Sequence, residues 1–285
     1  MFRCTIPEGV EVRLSADLIK PLVLGKNIVD VETFETSRYA DIHPDNFKDF
    51  KNILSSPNSI TIIDVTTKGK FMYWSFSNDW YLLCTFGMSG QWSPTKGKHP
   101  CFAVKYYEAS EGVNKLVYFN DPRHFGTIKF VKSQDQLKAK LNTLGWDPLK
   151  HGLNVQNINW VKNKINNSKK PISQLLMDQG IFAGVGNYIK AESLYEAKIS
   201  PWRSGNSLSV DEINSLCQAI VNVMETSYKY QGATILTYKT AFGEEGRYSS
   251  CFKVYGKTVD PLGNIVKTET TPDKRTTHWV PAIQK

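Results

Sequence analysis

The apolar and polar positions of this chain change their rhythm near the middle. In the first half, residues 59–65, 71–76, 80–86 and 115–119 are short runs rich in β-branched and aromatic side chains, separated by turn formers. Such runs are strand-like, and together they predict an antiparallel sandwich. Two stretches repeat with the helical period instead: residues 10–22, with Leu14, Leu18 and Ile19 as the apolar stripe, and residues 45–54. After Phe130 the texture turns helical. A short helix is expected over 133–144, and Gly145-Trp146-Asp147-Pro148 breaks the chain there as a junction. Further helices are expected over 172–179 behind Pro171, from Asn187 onward with that Asn as cap, and over 210–228 behind Ser209 with Glu212 three residues on. Past Cys251 short strands return around a Pro261-Leu262-Gly263-Asn264 turn. The expected class is α+β: an N-terminal antiparallel β-sandwich with flanking helices, then a helical domain ending in a hairpin.

Composition changes this little. The 285 residues, 41% hydrophobic and 22% charged, suit about two globular domains. Charge adds more: 35 Lys plus Arg against 27 Asp plus Glu leave +8, which fits a polyanionic partner, most simply nucleic acid, as well as it fits an unspecialised basic surface. Five scattered cysteines without a Cys-x-x-Cys pair imply neither a disulfide framework nor a cysteine zinc site, and point to a reducing compartment. Residues 1–6 lack the apolar core of a secretory signal, and no run of eighteen apolar residues is present to span a membrane.

The candidate chemistry starts at Pro7-Glu8-Gly9-Val10-Glu11. A proline at a chain start carries a secondary amine, and an α-amino group titrates near pH ~7.7–8.0. Such an amine attacks an electrophilic sugar carbon to form a Schiff base, with a neighbouring carboxylate as proton donor. Behind six residues the same nitrogen is a tertiary amide, so the chemistry requires Pro7 to become the first residue. A second candidate is Gly184-Val185-Gly186-Asn187, a turn whose backbone N–H groups and following helix suit a phosphate. A tight turn with an ordinary helix cap is the alternative.

Several motifs in order resemble one family. Leu176-Met177-Asp178-Gln179 through Gly184-Val185-Gly186-Asn187 and Ala191-Glu192-Ser193-Leu194 is similar to the helix–two-turns–helix of the Fpg/Nei family of DNA glycosylases. Pro7-Glu8 with Glu11 resembles its catalytic start, Thr67-Lys68-Gly69-Lys70-Phe71 its lysine hairpin, and Phe86-Gly87-Met88-Ser89-Gly90 its methionine loop. Asn120-Asp121-Pro122-Arg123-His124-Phe125-Gly126 resembles its arginine–phenylalanine loop. The resemblance implies domains at 1–133 (catalytic β-sandwich), 134–150 (linker), 151–250 (helix–two-turns–helix, DNA-binding) and 251–285 (finger).

It also implies roles. Pro7 is the nucleophile, Glu8 the proton donor, and Glu11 a support whose alternative is an exposed residue of the first helical turn. Lys70 meets the phosphate near the scission site; Asn187, Gly186 and Arg275 hold other phosphates. Met88, Arg123 and Phe125 fill the space a flipped nucleotide vacates, with core packing as the alternative for Met88 and Phe125. The finger departs from much of the family, because its usual four cysteines are missing. Lys274-Arg275-Thr276-Thr277-His278-Trp279 resembles the zincless finger of the Nei-like branch, with Val259, Ile265, Trp279 and Ile283 expected to hold it without metal. Residues 231–248 lie where the family closes a loop over the flipped base; their length resembles the purine-preferring branch, which conflicts with the finger. The expectation is a monomeric, cofactor-independent glycosylase and AP lyase acting on duplex DNA with an oxidised base or abasic site, in nucleus or cytoplasm. The alternative is a catalytically silent protein that binds damaged or abasic DNA.

Overall fold

The computed structural model describes residues 7–35, 37–57, 59–233 and 247–285. The loop expected over the flipped base therefore lies mostly outside the described residues. The chain divides into two compact units.

The first unit holds Pro7 and residues 11–142. Its strands are β1 (Asn27–Thr33), β2 (Ile60–Lys68), β3 (Phe71–Phe76), β4 (Tyr81–Thr85), β5 (Gln91–Ser93), β6 (Pro100–Glu108), β7 (Val113–Asn120) and β8 (Thr127–Val131). They pair antiparallel in the order β5-β7-β6-β1-β2-β3-β4-β8. The β1–β2 register holds just Asn27↔Thr61 and Ile28↔Ile60, against six pairs in β1–β6. The strands on either side of that short seam bury one aromatic core: Trp74 lies 5.0 Å from Trp92, Trp92 5.5 Å from Phe119, and Phe102 6.1 Å from Phe130. The expected sandwich is thus present, its layers being two halves of one hydrogen-bonded sheet.

Helix α1 (Gly9–Val23) meets this core through Val12, Ala16, Ile19 and Val23. Leu14 and Leu18, expected on the apolar face, are half-buried beside it. Helix α2 (Phe47–Leu54) buries Phe47 and Phe50, with Phe50 stacked 4.4 Å from Phe130. Helix α3 (Gln134–Asn142) follows β8.

The second unit holds residues 8–10, 143–233 and 247–285. It contains α4 (Pro148–His151), α5 (Val155–Asn166), α6 (Ile172–Met177), α7 (Asn187–Glu196) and α8 (Val210–Lys229), then the hairpin β9 (Lys267–Thr270) and β10 (Thr276–Trp279). Ser209 and Glu212 form the expected reciprocal cap of α8. Helix α7 is the centre of this unit, buried throughout Tyr188 to Tyr195. Its Ala191 and Tyr195 pack on Val254, Val266 and Val280, with Ile283 alongside. Val259 and Ile265, expected to hold the finger, instead pair with each other and are 53% and 75% exposed. The reason is Asp260. Its carboxylate accepts from Leu262 N, Asn264 N, Asn264 Nδ2 and Tyr195 Oη at 2.7–3.1 Å, so hydrogen bonds hold this turn where apolar packing was expected.

Candidate functional site

Glu8 is buried in the second unit, and its carboxylate is committed. Oε1 accepts from Tyr188 N at 2.9 Å and Oε2 from Ile189 N at 3.3 Å. Both donors sit in the first turn of α7, where N–H groups lack partners within the helix and a negative charge is favoured. The expectation that Asn187 caps α7 is corrected here. The cap position belongs to Gly186, which has no side chain to offer, and Glu8 supplies the oxygens from a distant part of the chain. Asn187 is the first helical residue. Its Nδ2 donates to Thr276 O in β10 at 2.8 Å, which uses one of the two amide hydrogens.

The glycines of Gly184-Val185-Gly186 follow from this approach. Gly184 takes φ +104°, open to glycine. A Cβ on Gly186 would lie 2.2 Å from Glu8 Cδ, and one on Gly9 2.7 Å from Gly184 Cα. Gly9 N donates to Gly184 O at 2.9 Å, so backbone meets backbone where side chains have no room. Gln179 pins the turn from the other side, donating Nε2 to Val185 O and accepting Gly184 N on Oε1.

Pro7 is buried, as is Glu11, which removes the alternative of Glu11 as an exposed first-turn residue. In the first unit, Lys70 occupies the two-residue turn Gly69-Lys70 that joins β2 to β3, with Gly69 at φ +57°. Met88 is half-buried, Arg123 exposed, and Phe125 58% exposed. Core packing therefore does not account for Phe125. Arg123 Nη1 lies 3.8 Å from Met88 Sδ, so the two loops meet through these side chains.

The residue that holds the loops lies inside the motif of residues 120–126, but the sequence alone assigns it no role. Asp121 is buried; its carboxylate accepts Gly126 N at 2.6 Å, Arg123 N at 3.3 Å and the Ser89 hydroxyl. One side chain thereby joins the Met88 loop to the Arg123–Phe125 loop. An Asp at the end of a strand before proline is a turn signal. Arg38 adds a clamp on Gly126 O at 3.2 Å. In the second unit, Glu192 accepts the N–H groups of Lys253, Val254 and Tyr255, and burial pushes its pKa up against those bonds.

Arg275 is exposed in the turn immediately before β10. A zinc ion does not fit the donors around it. Cys251 is exposed, no cysteine follows it in the sequence, and His278 is buried 5.1 Å from the Tyr255 ring. Among the described residues no three His, Cys, Asp or Glu gather as a metal-binding group.

Comparison with known proteins accounts for the length of the chain. Models of the formamidopyrimidine-DNA glycosylase N-terminal, H2TH and C-terminal domains match residues 6–128, 144–239 and 249–285. The formamidopyrimidine-DNA glycosylase of Lactiplantibacillus plantarum is 30% identical over 98% of this chain and 100% of its own. Among solved structures, the MutM (Fpg) protein of Thermus thermophilus superposes with a TM-score of 0.80 at 26% identity, covering 98% of each chain. A C248GH mutant of Lactococcus lactis Fpg, in complex with a THF containing DNA, gives 0.81 at 25% identity over 98% of this chain and 100% of that one. Motifs, fold and relatives agree, and the chain belongs to the formamidopyrimidine-DNA glycosylase family, the DNA-repair glycosylases that its sequence resembles.

Proposed function

We propose that this protein excises an oxidised base from duplex DNA and then cuts the strand as an AP lyase, acting as a monomer without a cofactor. The observation that carries this reading is the seating of Glu8. A carboxylate next in the chain to Pro7 is held by two backbone N–H groups at a helix end, and Gly186 is stripped of its side chain to admit it. The cap by itself would serve a DNA-binding protein as well; what favours an enzyme is that the capping carboxylate is the one next in the chain to the Pro7 nitrogen.

The reaction follows from the groups present. The Pro7 amine attacks the sugar carbon bearing the damaged base; the bond to the base breaks, and the proton lost by the amine leaves with the base. Glu8 supplies the proton that opens the sugar or frees the base, and as the ring carbon–oxygen bond breaks the nitrogen becomes an iminium. The resulting iminium acidifies the adjacent sugar carbon, successive eliminations release the two phosphates, and water hydrolyses the imine to free the amine. Met88, Arg123 and Phe125 occupy the gap left by the extruded nucleotide, as filler, hydrogen-bond donor and wedge respectively. Lys70, Asn187, Gly186 and Arg275 take backbone phosphates, which position the duplex without reading its sequence. Glu11 steadies the site formed by Pro7 and Glu8. In the full chain Pro7 is buried and its nitrogen is an amide, so activity requires a form that begins at Pro7.

Borohydride trapping on a duplex with one abasic site tests this. A covalent adduct is expected from the form beginning at Pro7 and none from the full chain. Tight binding without an adduct from either form favours the silent damage-binder.

A further inference from the structure

The finger of this chain lacks the donors for a metal crosslink, yet Arg275 at its turn must be held to grip a phosphate. Lys190 offers the means. It is fully buried in α7, with Nζ 2.6 Å from Asp273 Oδ2, and the Asp273 side chain is 4% exposed. The other oxygen of Asp273 accepts from the Thr271 hydroxyl, which lies 2.6 Å from that of Thr277. Thr271 N donates to Arg275 O at 3.1 Å and Lys274 N to Thr271 O at 2.8 Å, closing the turn with Lys274 at φ +59°. One helical turn earlier in α7, Asn187 holds Thr276 O. The two ties, at Asp273 and Thr276, bracket Arg275.

Stability alone is weak grounds for this arrangement, since apolar residues of like volume in place of a buried ion pair are often as stable or more so. What an ion pair with further hydrogen bonds adds is a defined geometry. Burial pulls the Lys190 pKa down, Arg275 adds to that pull, and Asp273 and Glu8 oppose it. The ammonium thus lies within electrostatic reach of the proton donor and of the phosphate-gripping arginine. We infer that Lys190, acting through Asp273, is a positioning residue that sets Arg275 for its phosphate, in the place a metal crosslink would otherwise hold. This rests on the DNA-binding reading proposed above.

The test is a coupling measurement on the full chain, with a duplex containing a tetrahydrofuran abasic-site analogue as probe. Arg275→Ala is introduced alone and into a Lys190→Met/Asp273→Leu background, whose folding is checked by thermal melting. Alone, it is expected to weaken binding about tenfold, equivalent to ~1.4 kcal/mol, and to lower the slope of log affinity against log salt by about 0.9. In the double-variant background the same change is expected to cost under about twofold and leave the slope unaltered. If the double variant does not fold, the near-isosteric Asp273→Asn must show the same lost coupling. Equal Arg275 losses in both backgrounds overturn the inference and leave the DNA-binding reading standing. Failure of the unaltered protein to prefer the abasic duplex overturns both.

Discussion

At the scale of single residues, Glu8 and Gly186 form one device. The carboxylate reaches the first turn of α7 because position 186 has no Cβ to obstruct it. Gly186→Ala is therefore expected to displace Glu8 and lower the trapping rate by at least about 10²-fold, comparable to losing a general acid. The variant form beginning at Pro7, assayed under single-turnover conditions, checks this. Glu8→Gln keeps the shape but gives up the proton and one of the two acceptor oxygens. It is expected to cut base release by about 10²–10⁴-fold while binding to an abasic-analogue duplex stays within a few-fold. A variant that releases base at the parental rate would remove Glu8 from the mechanism. Asp121 matters for a different reason, since it is buried and orders two loops from within. Asp121→Ala takes the acceptor from the buried Gly126 N–H and is expected to cost about 1–3 kcal/mol of stability. It is also expected to narrow the preference for damaged over undamaged duplex, which a competition assay reads directly.

At the scale of elements, periodicity identified most of what it could identify. Helices α1, α2, α3, α6, α7 and α8 lie close to their expected positions, and Ser209 with Glu212 caps α8 as the motif predicts. Ser209→Ala is expected to cost about 1 kcal/mol, read from a shift in the denaturation midpoint. Strands β1, β5, β6 and β8 escaped the pattern, three of them for identifiable reasons. β5 spans three residues, and β6 is buried at nearly every position and shows no alternation. β1 carries Asp30 and Glu32, whose charges are met by Lys51 and Lys105 from neighbouring elements. The pairing of Lys26 with Glu108 at the end of β6 has a consequence for pH. The hydrogen bond from Lys26, then that from Ser110, holds the Glu108 carboxyl down at about 2, from an ordinary 4.5. A folded-state value below the unfolded one stabilises at pH above 4.5, and that contribution is lost as pH falls toward 2. The stability difference between the parent and Glu108→Gln is therefore expected at about pH 7 and gone near pH 2, measured as urea midpoints.

At the scale of the molecule, the +8 charge and exposed Arg123 and Arg275 predict binding that weakens steeply with salt. Several things were determined by the sequence itself: the α+β class, the break near Gly145 and the family motifs. These are local properties, written in periodicity, turn formers and residue chemistry over a few positions. Only the tertiary structure decided that Glu8 caps α7, that Asp121 joins two loops, that Asp260 holds the turn expected of Val259 and Ile265, and that Lys190 is sealed against Asp273. Each of these depends on a polar group being buried, which is tolerable only with a partner at bonding distance. That partner stands 180 residues away for Glu8 and 83 for Lys190, where no local pattern reaches.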